Sequence, residues 1–144
     1  MLTKLKKDMP YIDSNVFIYP ILYSTDVEPK VKKAKQILLS IEKGELPAYT
    51  STLTWDEVVW VVSKTMGRTE GISQGQKLLG FLNLKFISAD ENILSQAQAL
   101  MNKYNLSPRD SIHIASALDK KLKIIISDDK DADVVKEIKR TPLV

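Results

Sequence analysis

The chain has 144 residues, of which 44% are hydrophobic and 27% are charged, and a chain of this size and composition can bury a core without covalent staples. It contains no cysteine and one histidine, His113, which excludes a disulfide framework and cysteine-ligated zinc and argues against histidine-based catalysis. The formal net charge of +3 is compatible with a nucleic-acid partner without requiring one. No run approaches the roughly 18 apolar residues of a membrane span, so we expect one domain over residues 1–144, in the cytoplasm and without a membrane partner.

The first half of the chain alternates short apolar runs with segments of helical periodicity. The predicted elements are strands over residues 10–13 and 48–51 and helices over residues 16–23, 29–42 and 54–66. Pro20 marks a kink or an end of the first helix. The third helix begins at Thr54 and ends at Gly67.

The second half continues the alternation of strands and helices. The predicted elements are helices over residues 69–82, 89–104 and 107–118 and strands over residues 84–87, 123–127 and 142–144. Gly71, Gly75 and Gly80 weaken the first of these helices, whereas the three isoleucines 124–126 are typical of a parallel strand buried on both faces. The pattern predicts an α/β fold, a three-layer α/β/α sandwich around a central, mainly parallel sheet of four to five strands.

Four carboxylates follow an apolar run directly or lie in the first turn of a predicted helix: Asp13, Glu57, Asp110 and Asp129. Each has a structural explanation, since Thr54-x-x-Glu57 and Ser107-x-x-Asp110 resemble capping boxes and the other two could cap the helices that follow. In an open α/β sheet, however, the carboxyl ends of the strands share one edge, where ligands bind. Four acids gathered there would repel one another unless a proton or a hard cation such as Mg²⁺ or Mn²⁺ joined them.

Other phosphate and metal motifs do not fit the sequence. Asp129 to Asp133 begins like an EF-hand loop, but the sixth position is Val134 rather than glycine and the twelfth is Arg140 rather than glutamate. There is no glycine-rich phosphate loop, and Asn15 stands where an aspartyl-phosphate phosphatase would need a second aspartate.

Four short motifs in order resemble the PIN domain family. They are Asp-Ser-Asn at 13–15, Glu57 after the second strand, Arg-Asp-Ser-Ile-His-Ile-Ala at 109–115, and Ile-Ile-Ser-Asp-Asp-Lys-Asp at 125–131. Among PIN domains, a chain of this length is most similar to the VapC-type toxins of toxin–antitoxin pairs. The added acid Asp128 departs from the family pattern, and the Ser-x-Asp spacing favours Asp129 over it as the fourth acid.

The resemblance implies a ribonuclease that depends on Mg²⁺ or Mn²⁺ and cuts single-stranded or structured RNA. Asp13, Glu57, Asp110 and Asp129 would hold the metal and serve catalysis. The residues expected to support these acids or to contact phosphate are Ser14, Asn15, Ser127 and Asp128. The resemblance also implies a protein antitoxin as partner.

Several further residues have two interpretations. His113 could approach the site or be an ordinary helix histidine. Arg109, Lys30 and Lys33 could contact RNA phosphates or form a solvated surface. The apolar helices that follow Thr54 and Thr69 suggest a homodimer. Two other functions remain open: a non-catalytic RNA-binding or scaffolding module, and a Mg²⁺-dependent small-molecule phosphohydrolase.

Overall fold

The structure is a computed structural model that describes residues 9–23 and 28–144; residues 1–8 and 24–27 of the predicted domain lie outside the described residues. Within the described ranges, five strands form one parallel sheet in the order β3-β2-β1-β4-β5. The strands are β1 (Tyr11–Ile12), β2 (Ala48–Ser51), β3 (Leu84–Ile87), β4 (Ile124–Ile126) and β5 (Lys139–Thr141). Starting from the central strand β1, the chain adds β2 and β3 on one side and then β4 and β5 on the other side. The neighbours β1 and β4 therefore form the switch point at which ligands bind in sheets of this type.

Helices cover both faces of the sheet. In the described part of the chain they are α1 (Ser14–Leu22), α2 (Pro29–Glu42), α3 (Thr52–Met66), α4 (Arg68–Leu79), α5 (Glu91–Lys103) and α6 (Pro108–Asp119), with a 3₁₀ helix at Lys130–Val134. Ile124 and Ile126 contact the core beneath α1 to α4, whereas Ile125 contacts the core beneath α6. The fold is thus the predicted α/β/α sandwich with a parallel sheet buried on both faces.

Several predicted element boundaries differ from the structure by two or three residues, and the physical reason is clear for two of them. The edge strand lies at Lys139–Thr141 rather than at residues 142–144, because Pro142 has no N–H to continue the ladder; Leu143 instead enters the core with 2% of its surface exposed. The third helix begins at Thr52 rather than Thr54, since Ser51 is its N-cap and accepts from the Leu53 N–H at 3.0 Å.

The close packing of α3 against α4 explains why glycines occur in a helix. A Cβ atom at Gly71 would lie 1.8 Å from the Ser63 hydroxyl, and one at Gly75 would lie 2.6 Å from a Val59 methyl. Gly67, with a φ of 98°, makes the turn between the two helices in a conformation that favours glycine. Among the helices described, none is both long and apolar enough to cross a lipid bilayer.

Candidate active site

Ser127 connects the two acids that follow β1 and β4. Its hydroxyl donates to Asp13 Oδ2 at 2.6 Å and accepts from the Asp129 N–H at 2.9 Å. Asn15 bridges the same loop, since its amide donates to Ser127 Oγ at 3.2 Å and its Oδ1 accepts from the Asp128 N–H at 3.3 Å. These bonds fix the backbone and side chains where the sheet reverses its strand order, so the acids are held at a defined separation.

Local capping explains how three of the four acids, Asp13, Asp129 and Asp110, reach this edge. Asp13 is the N-cap of α1 and accepts from the Ser14 N–H at 2.8 Å, while the Ser14 hydroxyl lies 3.5 Å from the same oxygen. Asp129 caps the 3₁₀ helix by accepting from the Asp131 N–H at 2.9 Å. Asp110 lies in the first turn of α6, where its N–H donates to the Ser107 hydroxyl at 3.1 Å. Capping and clustering therefore occur together in this protein.

Three of the predicted acids line one small pocket. Asp13, Asp110 and Asp129 share it with His113, and the apolar walls are Ile114, Ile125 and Ala132. Asp131, which was missed as a site residue, joins the group: one carboxylate oxygen from each of Asp110, Asp129 and Asp131 lies within 4.8 Å of the others. The sequence signal for Asp131 was its place at the end of the PIN-like motif at 125–131, where Asp129 alone was expected to be the fourth acid.

The electrostatics of this pocket favour a bound cation. Burial, together with the negative charges of Asp129, Asp13 and Asp131, raises the pKa of Asp110 to about 6. A divalent ion would relieve this repulsion, and the donors are all carboxylate oxygens, the ligands that suit Mg²⁺ and Mn²⁺. The residues present therefore fit a hard divalent cation.

Glu57 is not among the residues that line the acid pocket, but it contacts His113, which is one of them. His113 on α6 has 2% of its surface exposed, and its Nε2 lies 2.5 Å from Glu57 Oε1 and 3.5 Å from Asp13 Oδ1. Its other ring nitrogen, Nδ1, lies 2.5 Å from the Tyr11 hydroxyl. Burial alone would lower the pKa of His113, but the hydrogen bond to Glu57 and the charge of Asp13 outweigh burial and raise that pKa.

Asp128 and Asp129 have separate surroundings although they are adjacent in sequence. The Tyr19 hydroxyl donates to Asp128 at 2.7 Å, and Lys30 Nζ lies 3.1 Å from the same carboxylate. Burial opposes the charge of Asp128, yet these two hydrogen bonds lower its pKa below the usual value. Asp128 thus belongs to a second cluster with Tyr19 and Lys30, whereas Asp129 lines the acid pocket.

The remaining predicted residues lie around this edge or on the helices. Arg109 is exposed beside Asp110, and Lys33 on α2 is half-buried. On α3, and not among the predicted site residues, the Trp60 ring is 57% exposed and lies under Lys64 Nζ, 4.3 Å from the ring centre. Trp55 packs toward Gly75 of α4.

The comparisons with known proteins agree with this geometry. The sequence profile of the PIN domain family matches residues 11–138. The chain belongs to the PIN domain family. A comparison with curated proteins found no match.

Solved structures of VapC toxins share the fold. VapC20 of Mycobacterium tuberculosis, a sarcin–ricin loop cleaving toxin, aligns with a TM-score of 0.71 at 12% identity, over 88% of this chain and 94% of that one. VapBC2 of Rickettsia felis bound to a DNA fragment from the promoter gives 0.69 at 12% identity, over 92% and 96%. A toxin–antitoxin complex from Klebsiella pneumoniae gives 0.65 at 20% identity, over 90% and 95%. The family model and these structures agree that the chain has the PIN fold.

Proposed function

We propose that this PIN domain is an endoribonuclease that depends on Mg²⁺ or Mn²⁺ and acts as the toxin of a toxin–antitoxin pair. The observation that supports this best is the pocket lined by Asp13, Asp110 and Asp129, with Asp131 beside it, at the switch point between β1 and β4. A cluster of oxygen donors at this place in a parallel sheet suits a metal that binds phosphate.

The metal would be held by Asp110, Asp129 and Asp13, with Asp131 as an added ligand. A divalent ion there supplies an activated water and neutralises negative charge on the phosphodiester. Asp13 Oδ1 accepts from the N–H and the hydroxyl of Ser14, and Oδ2 accepts from the Ser127 hydroxyl. These bonds fix the carboxylate while leaving Oδ2 a further lone pair for a ligand.

Glu57 has a separate part in this proposal. Its Oε1 is paired with His113, which lines the pocket. We assign the Glu57 carboxylate one of two roles, completing the metal shell or orienting the attacking water from the α3 side of the pocket. Asn15 and Ser127 hold the loop that carries Asp129, and their part is to keep the acids in place.

RNA would approach over the exposed N-terminus of α6. Arg109 is exposed next to Asp110, where a guanidinium can contact a phosphate adjoining the cleaved bond. Lys33 is a second candidate contact. Lys30 is paired with Asp128, so it contributes less to phosphate binding than an unpaired lysine would.

Two protein partners belong to the proposal. The Klebsiella pneumoniae neighbour is a toxin–antitoxin complex, which supports a protein antitoxin for this chain as well. A homodimer is supported by large apolar side chains on α3 and α4 that are more than half exposed, among them Trp60, Ile72 and Leu79. Exposed apolar groups of this size often mark interaction surfaces.

The activity is tested by comparing the wild type with Asp13→Asn on single-stranded RNA in Mg²⁺ or Mn²⁺. We expect the rate to fall by about 100-fold or more, since a metal site contributes several kcal/mol to the transition state. Asp56→Asn, which alters an exposed acid beside Glu57, is the matched control and should cleave normally.

Three results would contradict the proposal in different ways. Equal cleavage by Asp13→Asn and the wild type would show that the acid pocket is not the nuclease site. RNA binding without cleavage by the wild type would favour a non-catalytic module. Hydrolysis of a phosphomonoester such as p-nitrophenyl phosphate in preference to RNA would favour a small-molecule phosphohydrolase.

A further inference from the structure

A buried line of hydrogen bonds joins three elements behind the acid pocket. It runs from the Tyr11 hydroxyl on β1 to His113 on α6 and then to Glu57 on α3, with a distance of 2.5 Å at each step. Tyr11 is 0% exposed and His113 is 2% exposed. Burying polar groups costs free energy unless each has a hydrogen-bond partner. A fully paired line of this kind holds its side chains in one arrangement beside the acids.

The hydrogen positions in this line follow from the chemistry of its end groups. An ionised glutamate has no hydrogen to give, so His113 Nε2 must carry the hydrogen that lies between it and Glu57. The Tyr11 hydroxyl can donate to or accept from His113 Nδ1, so it pairs with the ring in either protonation state. The tyrosine thus fixes the ring orientation in which Nε2 points a hydrogen at Glu57, as the outer partner of a histidine does in metal sites.

His113 also links two acids that come from distant parts of the chain. Its Nε2 is bonded to Glu57 Oε1 and lies 3.5 Å from Asp13 Oδ1. One donor nitrogen therefore stands between carboxylates that follow β2 and β1. Without it, the two negative groups would repel each other and Glu57 would have a wider choice of rotamers.

We propose that Tyr11 and His113 are positioning residues, which hold the Glu57 carboxylate against Asp13 so that both can serve the same metal ion. This inference rests on the proposed function, because it assigns Glu57 to the metal site of the nuclease. Neither residue contacts the metal or the RNA in this scheme.

Tyr11→Phe is the sharpest test because it removes one oxygen atom and keeps the buried ring. Tyr49→Phe is the matched control, since Tyr49 lies in register with Tyr11 on the neighbouring strand and packs against the same core. Binding of Mn²⁺ to each metal-free protein is measured by calorimetry or by electron paramagnetic resonance. RNA cleavage is measured separately as kcat and KM.

We expect Tyr11→Phe to weaken Mn²⁺ binding by roughly threefold to tenfold, less than the loss of about 10-fold to 100-fold typical for direct partners of metal ligands, because Tyr11 acts on Glu57 through His113. The kcat for RNA should fall by a similar factor while KM changes by less than about twofold, because substrate contacts remain. Tyr49→Phe should match the wild type in all three quantities.

Replacement of His113 gives a second, independent comparison. His113→Gln keeps an N–H that can donate to Glu57, whereas His113→Leu fills the space without a donor. We expect His113→Gln to recover a large part of the Mn²⁺ affinity and kcat that His113→Leu loses. If His113→Leu does not fold, because an unpaired carboxylate oxygen is left buried, the tyrosine pair of variants still decides the question.

The outcomes separate this proposal from the proposed function. Wild-type Mn²⁺ affinity and kcat in Tyr11→Phe, or equal losses in Tyr11→Phe and Tyr49→Phe, would overturn the positioning role even where Asp13→Asn abolishes RNA cleavage. A wild-type protein that binds Mn²⁺ but cleaves no RNA would contradict the nuclease assignment, while the Mn²⁺ measurements would still test the positioning role.

Discussion

At the scale of single residues, Asp110 shows the clearest conflict between stability and function. Burial and three neighbouring acids raise its pKa to about 6, so the metal-free protein carries a disfavoured charge there at neutral pH. Such strain is typical of sites that bind a cation or perform catalysis. The same repulsion that a metal would relieve should be measurable in its absence.

We predict that Asp110→Asn stabilises the metal-free protein near pH 8. The folded pKa, about 6, lies above the usual value of 3.8, so the wild-type carboxyl contributes stability below pH 4 that is lost as the pH rises through 6. The variant has no such loss. Allowing for partial exposure of the group, we expect an advantage on the order of 1 kcal/mol, or about 2–4 °C in Tm, at pH 8.

Thermal unfolding in EDTA at pH 4.5 and pH 8 tests this prediction, with Asp56→Asn as the exposed control. The advantage of Asp110→Asn should shrink at the lower pH. Addition of Mn²⁺ should reverse the order at pH 8, because the wild type gains more binding energy than the variant. A variant that is less stable than the wild type in EDTA at pH 8 would contradict the assigned repulsion.

The residues of the site differed in how far the sequence could predict them. Asp13 and Asp129 follow buried strands, and the parallel order of the sheet then brings them to one edge, where Ser127 connects them. The partner of Glu57 lies 56 positions away, at His113, and no local pattern encodes such a contact. Asp131 was missed for a different reason: it lies in a run of several acids after β4, and the sequence does not show which of them face the pocket.

At the scale of elements, periodicity was most informative where burial is continuous. Three successive isoleucines predicted β4, which pairs with β1 on one side and β5 on the other. The edge strand was misplaced because its residues Lys139–Thr141 are polar and its pairing is set by β4 rather than by its own sequence. The start of α3 was misplaced because Ser51, Thr52 and Thr54 are all plausible caps, and only the bond from Leu53 N–H distinguishes them.

The α3–α4 contact gives a prediction at this scale. Alanine has a higher helix propensity than glycine by about 1 kcal/mol, so propensity alone would make Gly71→Ala stabilising. The added methyl would, however, lie 1.8 Å from Ser63 Oγ and 3.1 Å from the Ser63 Cα, and the backbone cannot rotate away. We expect a net loss of about 1–3 kcal/mol in the free energy of unfolding.

Urea unfolding of Gly71→Ala and Gly80→Ala provides the measurement and its control. A Cβ at Gly80 meets nothing closer than 3.6 Å, from the Gln76 carbonyl oxygen, so that variant should stay within about 0.5 kcal/mol of the wild type, as is usual away from tight contacts. Equal stability of the two variants would show that α4 can move away from α3 at little cost.

At the scale of the whole molecule, topology explains why a mildly basic chain has a strongly acidic site. The order β3-β2-β1-β4-β5 places the ends of β1 and β4 side by side, and the acids after them meet there. Two basic groups near this edge are paired with acids, Lys30 with Asp128 and Arg140 with Asp133. The local charge therefore differs in sign from the net charge of +3, as expected of a site that needs a cation before it can accept a phosphate.

The exposed apolar side chains of α3 and α4 give the prediction that belongs to this scale. Trp60 is 57% exposed, and burial of such a ring in a dimer would remove a large apolar area from water. We expect the wild type to elute as a dimer at micromolar concentration in size-exclusion chromatography with light scattering. Trp60→Glu should shift it toward the monomer, because a dimer interface would then have to bury a charge.

Val144→Glu is the control variant. This residue is 73% exposed on the C-terminal segment, so the substitution should leave the mass unchanged. A wild type that is monomeric throughout, or a dimer that tolerates Trp60→Glu, would rule out self-association through this face.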